Sequence, residues 1–190
     1  MVAIRENFPR FTPKEYFDWE EQQQIRHEYI DGEVYAMTGG TVNHSQISSN
    51  FNRLLGNHLR GSGCKTLNSD ARVNIVGSTD YVYPDVSVTC DRRDLTTAQY
   101  ITYPCLIAEV LSPSTEAYDR GDKFFMYRRS ASLQDYVLIS AHKIAIDIFH
   151  KDVGGKWDIT NYRADDSIEL RSIELTFPIA EIYEGITFEL

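Results

Sequence analysis

Cysteine is scarce in this chain of 190 residues. Cys64, Cys90 and Cys105 are odd in number, scattered, and without the paired spacing of a zinc site or a disulfide framework. Reduced thiols and a cytoplasmic location are therefore expected. Long apolar runs are missing as well: none approaches the ~20 residues that cross a bilayer. The opening stretch MVAIRENFPRF has no apolar core of the ~7–15 residues found in a secretory signal. Repeats, low-complexity tracts and linkers are absent, so one domain spanning residues 1–190 is expected. Positive charge is also short. Nineteen Lys and Arg face 28 Asp and Glu, a net charge of −9, which argues against broad attraction to polyphosphate but leaves room for a local basic groove. That balance suits a site where several carboxylates hold a cation. No nucleophile elbow, phosphate-binding glycine loop or zinc signature is present.

What is there reads as a mixed α/β chain. Thr12-Pro13-Lys14-Glu15 combines a capping residue, a proline suited to the first helical position and a capping-box glutamate. It predicts a helix to about Gln24. HEYIDGEVYAM reads as a hairpin turning at Asp31-Gly32. A second helix is expected from about Asn43 to Arg60, with Ile47, Phe51, Leu54, Leu55 and Leu59 on one stripe and Gly61 at its end. ARVNIV and YVYPDVSVT are strand-like, and a polar loop from Asp91 to about Tyr103 leads to the strand CLIAEVL. PSTE can start a third helix carrying Tyr118 to Arg129, with Ser112, Ser114 and Thr115 as turn and helix-start residues. DYVLIS, KIAIDIFH, KWDITNYR and SIELRSIEL read as strands, and FPIAEIYEG as a short C-terminal helix.

Two carboxylates stand out. Asp85 follows a proline in YPDVSV, and Glu109 interrupts the apolar strand CLIAEVL, where a lone buried charge costs several kcal/mol. If the two strands pair, both carboxylates can converge. Nearby carboxylates repel unless a cation lies between them, and a hard oxygen-loving ion such as Mg²⁺ suits that geometry, with the Val110 carbonyl as a further donor.

Pro84-Asp85 followed by Glu109-Val110-Leu111 resembles the PD-(D/E)xK nuclease superfamily. HEYIDGEVYAM, NHSQIS, YPDVSV, EVLSPST and DRGDKFFMYRR, from about Thr12 to Ile148, are more narrowly similar to the Uma-type restriction-endonuclease family. The resemblance implies a restriction-endonuclease-like core, a mixed central β-sheet flanked by helices. The superfamily lysine belongs two residues after the glutamate, yet Leu111 stands there; the position matching this family's displaced lysine is Lys123. Asp119, Lys123 and Tyr127 share a helical face at four-residue spacing, so a surface ion pair with Asp119 is the plain alternative for Lys123. The resemblance makes Glu28 a further metal-binding candidate, with a solvated strand carboxylate as the equal alternative. His44 matches a recurrent family histidine, but a capping or hydrogen-bonded core role is favoured over ligation. His27, His58, His142 and His150 form no metal spacing.

The resemblance implies DNA phosphodiester hydrolysis, with Asp85, Glu109, Val110 and Glu28 around Mg²⁺ or Mn²⁺ and Lys123 assisting the attacking water. Arg92, Arg93, Arg128 and Arg129 are candidate phosphate contacts, with Arg53, Arg60 and Lys65 as a second basic region; surface solvation is the plain alternative for each. A homodimer is expected, since two cuts on a duplex need two sites. A nuclease-fold protein that binds nucleic acid or a protein partner without cutting is the second reading, favoured by Leu111 and the acidic balance. Structural buried polar groups in an unrelated α/β domain are the third.

Overall fold

The computed structural model describes residues 3–5, 10–37, 39–75, 79–113 and 115–188. A first strand, β1 (Ala3–Arg5), precedes helix α1 (Pro13–Glu20), whose capping box forms as expected. The Glu15 N–H donates to Thr12 Oγ1, and the Thr12 N–H donates to Glu15 Oε2 at 2.8 Å. The helix stops short of Gln24 because Glu20 turns back: its carboxylate accepts the His27 N–H and meets the His27 ring, each at 2.9 Å. That pulls the chain into strand β2 (His27–Ile30), which folds against β3 (Glu33–Met37) through Asp31 and Gly32. Both turn residues have positive φ, 51° and 83°, the geometry that favours Asp-Gly in a two-residue hairpin.

Helix α2 (Val42–His58) is capped by Thr41, whose Oγ1 accepts the His44 N–H. Ile47, Phe51 and Leu55 on its inner stripe are fully buried, each such side chain contributing about 1.5–3 kcal/mol. Strands β4 (Lys65–Asn68), β5 (Val73–Asn74), β6 (Tyr81–Val82), β7 (Val86–Thr89) and β8 (Leu106–Leu111) follow. The expected third helix is two short ones, α3 (Glu116–Arg120) and α4 (Asp122–Tyr127), broken at Gly121. Ser114 lies outside the described residues. Strands β9 (Asp135–Ser140), β10 (Ala145–Lys151), β11 (Trp157–Arg163), β12 (Ser167–Leu170) and β13 (Leu175–Pro178) complete the chain.

The central sheet has the order β11-β10-β9-β8-β7-β4 and is mixed: β8 and β9 run parallel, and the other neighbours antiparallel. A second sheet, β1-β3-β2-β6-β5, carries the hairpin. Side-chain alternation divides β8 between two cores. Leu106, Ala108 and Val110 join Ile47, Phe51 and Leu55 of α2, whereas Ile107 and Leu111 join Phe124, Met126 and Tyr127 of α4. Glu109 shares the parity of Ile107 and Leu111, so it belongs to the α4 face.

Three expectations need correction. FPIAEIYEG is not a helix: Phe177 and Pro178 finish β13, and only Ile179–Glu181 form a 3-10 turn, because the segment pairs with β12. The same pairing divides SIELRSIEL into β12, a 3-10 turn at Arg171–Ile173 and the start of β13. The cysteines are not all reduced, since Cys64 and Cys90 form a disulfide. Their separation of 26 residues hides the pairing in the sequence, but β4 and β7 pair Lys65 with Thr89, which puts the next residues side by side. Cys105 is the free thiol. Unfolded without reductant, the protein should therefore show one titratable thiol, rising to three after reduction; three before reduction would contradict the pairing. Cys64→Ser should cost about 3 kcal/mol of unfolding free energy, the loop-closure contribution of a bridge of this span.

Candidate active site

Pro84 shapes the start of β7. The β7–β8 register pairs Val86 with Ala108, so the next rung puts Asp85 opposite Glu109 and Pro84 opposite Val110. Proline has no N–H to give the Val110 carbonyl, and the Val110 N–H goes to the Asp85 side chain, whose Oδ2 accepts it at 2.8 Å. Asp85 thus sits just ahead of the strand rather than within it. Val110 meets it through its amide. The second group in contact is His44, whose Nε2 lies 3.1 Å from Asp85 Oδ2.

Glu109 projects from the middle of β8 toward α4, with 3% of its surface exposed. Its Oε1 accepts the Tyr127 hydroxyl at 2.9 Å and lies 2.9 Å from Lys123 Nζ. The Lys123 ammonium is also 3.5 Å from Glu28 Oε1 and 3.8 Å from Asp119 Oδ1. It is buried, so the surface ion pair with Asp119 is not what forms. Glu28 is no solvated strand carboxylate either: it is 3% exposed on β2 and accepts the Tyr83 N–H. The break at Gly121 serves this cluster, because the Asp119 carbonyl accepts the Tyr136 hydroxyl there.

One ammonium cannot neutralise this many buried carboxylates, and the pKa shifts register the deficit. Burial pushes Glu109 up to about 8, with Lys123 opposing and Asp119, Asp85 and Glu28 adding to the rise. Burial likewise raises Asp119 against the pull of Lys123. Asp85 goes the other way. Burial works to raise it, but His44 and the Val110 N–H together hold it below the ordinary carboxylate range. Lys123 is raised well above the usual lysine value: burial opposes its charge, but Glu109 and Glu28 outweigh that cost.

Asp85 Oδ1, Glu109 Oε2 and Glu28 Oε2 make no hydrogen bond within the described residues, and Asp85 Oδ2, which accepts the Val110 N–H, has a second lone pair, so each carboxylate keeps room for a cation. The donor set of hard oxygens fits a divalent ion. No three of the His, Cys, Asp and Glu residues form a ready-made cage among the described residues; the ammonium of Lys123 is the cation in the cluster.

The other candidates lie elsewhere. Arg92 and Arg93 follow the far end of β7 from Asp85, and Arg93 grips Asp91 at 2.6 and 2.9 Å while stacking on Tyr103. Arg128 is exposed and lies over the ring of Phe125, and Arg129 approaches Asp80 at 3.8 Å. Arg53 pairs with Glu184, and Lys65 donates to the Leu95 carbonyl. One residue that sequence patterning overlooks is Tyr118, which is half-buried and raised in pKa by burial first and then by Glu28. It lies off the stripe of Asp119, Lys123 and Tyr127, so helical periodicity gives it no signal.

This architecture is that of the restriction-endonuclease-like nucleases. A protein from Anabaena variabilis, solved as "a putative nuclease belonging to DUF820", superposes with a TM-score of 0.75 at 15% identity, covering 92% of this chain and 98% of that one. The family model Uma2, described as "Putative restriction endonuclease", matches residues 13–180, and the chain belongs to that family. Two proteins of Synechocystis are similar along nearly their whole lengths. The uncharacterized protein slr1290 is 53% identical over 95% of each chain. The uncharacterized protein sll1609 is 33% identical over 87% of this chain and 93% of its own.

A raised carboxyl makes a pH prediction with a definite sign. Folding takes up a proton at Glu109 between its ordinary value, 4.5, and about 8. The stability this provides is complete below 4.5 and is lost as pH rises through 8. Glu109→Gln, which keeps the shape without the charge, should gain on the native protein as pH rises from 5 to 8.5, read from urea midpoints; an unchanged difference would refute the shift. Lys123→Met should cost about 3–5 kcal/mol at neutral pH, because it strands buried carboxylates.

Proposed function

We propose that the chain is a metal-dependent endonuclease that hydrolyses DNA phosphodiester bonds. The observation that carries this reading is the convergence of a buried lysine from α4 on Glu109, with Asp85 facing Glu109 just ahead of the neighbouring strand. A lysine beside two carboxylates from neighbouring strands is the donor set this chemistry requires.

On this reading Asp85, Glu109, the Val110 carbonyl and Glu28 hold Mg²⁺ or Mn²⁺. When bound, such an ion lowers the pKa of a water and polarises the phosphate. The rest falls to the chain's own groups. Tyr127 fixes one Glu109 oxygen by donating to it, leaving the other for the ion. Lys123 orients the attacking water and stabilises the charge that develops on phosphorus-bound oxygens. The water oxygen bonds to phosphorus as the bond to the 3′ oxygen breaks; the water gives up a proton to solvent, the 3′ oxygen takes one up and leaves as a hydroxyl, and the 5′-phosphate remains. Arg128 and Arg129, just past α4, are the nearer candidates in sequence to steady the flanking phosphates; Arg92 and Arg93, at the far end of β7, contact DNA only if the duplex extends that way.

A second reading keeps the fold and drops the reaction: a nuclease-like protein that binds nucleic acid or a protein partner. It is favoured by Leu111 in place of the strand lysine, and by Lys123 already filling the cation position.

Purified protein should cut or nick DNA only when Mg²⁺ or Mn²⁺ is supplied. Asp85→Asn, Glu109→Gln and Lys123→Met should each lower the rate by about 10²–10³-fold or more, the usual loss when one preorganised group is removed. Equal cutting by all three variants would mark a contaminant. Ion-binding protein that never cuts would select the second reading.

A further inference from the structure

His44 is the anomaly beside Asp85. The residue is 6% exposed, and its Nε2 finds no hydrogen-bond partner among the described residues. A buried ring nitrogen left without a partner is destabilising, so its retention calls for a reason. Capping is not that reason, since Thr41 caps α2 and His44 contributes only its backbone N–H. Nor is the nitrogen simply bonded to Asp85. Asp85 Oδ2 lies 3.1 Å from the nitrogen, within ion-pair reach, though the contact does not meet hydrogen-bond geometry.

The ring is held there by design of the local chain. Ile47 and Phe51 anchor α2 in the core, three and seven residues further on. On the other side, Gly40 packs against the imidazole so tightly that a Cβ at position 40 would lie 2.7 Å from His44 Cγ and 2.8 Å from Nδ1. Only glycine leaves room for this rotamer.

We propose that His44 Nε2 and Asp85 Oδ2 are adjacent ligands of one ion, and that the nitrogen makes the site prefer a transition-metal dication such as Mn²⁺ over Mg²⁺. The inference rests on the nuclease reading above and specifies its metal. Two ligands on neighbouring corners of an octahedron with bonds of ~2.1 Å are separated by √2 times that length, about 3 Å. The observed 3.1 Å matches this edge. Imidazole nitrogen suits transition dications, whereas Mg²⁺ takes oxygen donors and waters. One nitrogen among carboxylates therefore discriminates between ions of equal charge.

The test is calorimetric titration of the purified chain with MnCl₂ and with MgCl₂, joined to pulsed EPR of the Mn²⁺-loaded protein. The native protein should bind Mn²⁺ more tightly and show ¹⁴N modulation of the Mn²⁺ signal. His44→Gln should abolish that modulation and weaken Mn²⁺ by ~10–100-fold, the scale on which metal-site contacts act, with Mg²⁺ affinity almost unchanged. Gly40→Ala, which displaces the ring without removing it, should shift Mn²⁺ in the same direction, and thermal unfolding of both ion-free variants checks that they fold. Loss of both ions in equal proportion, or ¹⁴N modulation that survives His44→Gln, would overturn the inference and reduce His44 to a positioning residue for Asp85. A native protein that binds neither ion would overturn the metal site itself, and the nuclease reading with it.

Discussion

The Lys123 ammonium is the point on which the candidate site depends. It is buried, lies 2.9 Å from Glu109 on β8 and 3.5 Å from Glu28 on β2, and reaches Asp119 across the break between α3 and α4. It therefore joins the two main sheets and the helix pair through one charge. Burying an ion pair seldom adds net stability compared with apolar residues, but removing one partner is costly because the other is stranded. Such an arrangement holds geometry more than it adds free energy. Burial first, and then the surrounding carboxylates against the pull of Lys123, raise the Glu109 carboxyl to about 8, an excess of negative charge that a further cation would relieve.

The displaced lysine has a structural consequence. A lysine two residues after Glu109 would rise from the same sheet face and be fixed by strand geometry. Leu111 occupies that place and packs with Phe124, Tyr127 and Leu138. The strand position thus becomes part of the platform beneath α4, and α4 returns the ammonium from above. Tyr127, one turn after Lys123, donates to the same Glu109 oxygen. One helical face therefore delivers both the charge and the hydrogen bond, a coupling that a strand-borne lysine does not have.

Much of this was legible in the residues because the signals were local. The capping box at Thr12, the Asp-Gly hairpin and the apolar stripe of α2 each follow from near-neighbour chemistry. The convergence of Asp85, Glu109 and Lys123 could be anticipated only through the family resemblance, since 38 residues separate the first from the last. What escaped was long-range or contrary to periodicity. The Cys64–Cys90 bridge depends on β4, a strand whose KTLN sequence carries no clear alternation. The C-terminal segment is helical by pattern, yet pairing with β12 overrides its propensity. Tyr118 and the ring of His44 depend on a helix break and a glycine contact that no spacing rule reports.

The acidic balance of the chain bears on how such a site would meet a polyanion. At a net charge of −9 the protein as a whole gains nothing from long-range attraction to DNA. Beyond a Debye length of about 8 Å at physiological salt, however, exposed charges are largely screened, so approach is decided by what faces the phosphate at contact. In the ion-free cluster that is a set of buried carboxylates balanced by one lysine. On the proposed function, a bound dication changes the sign of the balance where the scissile phosphate sits, while Lys123 remains in place. The same ion would thus supply the chemistry and make the contact electrostatically acceptable, which couples substrate binding to metal occupancy. Arg128, exposed just past α4 and stacked on Phe125, adds positive charge at the surface without entering the cluster. On that reading recognition would be local and conditional on the ion.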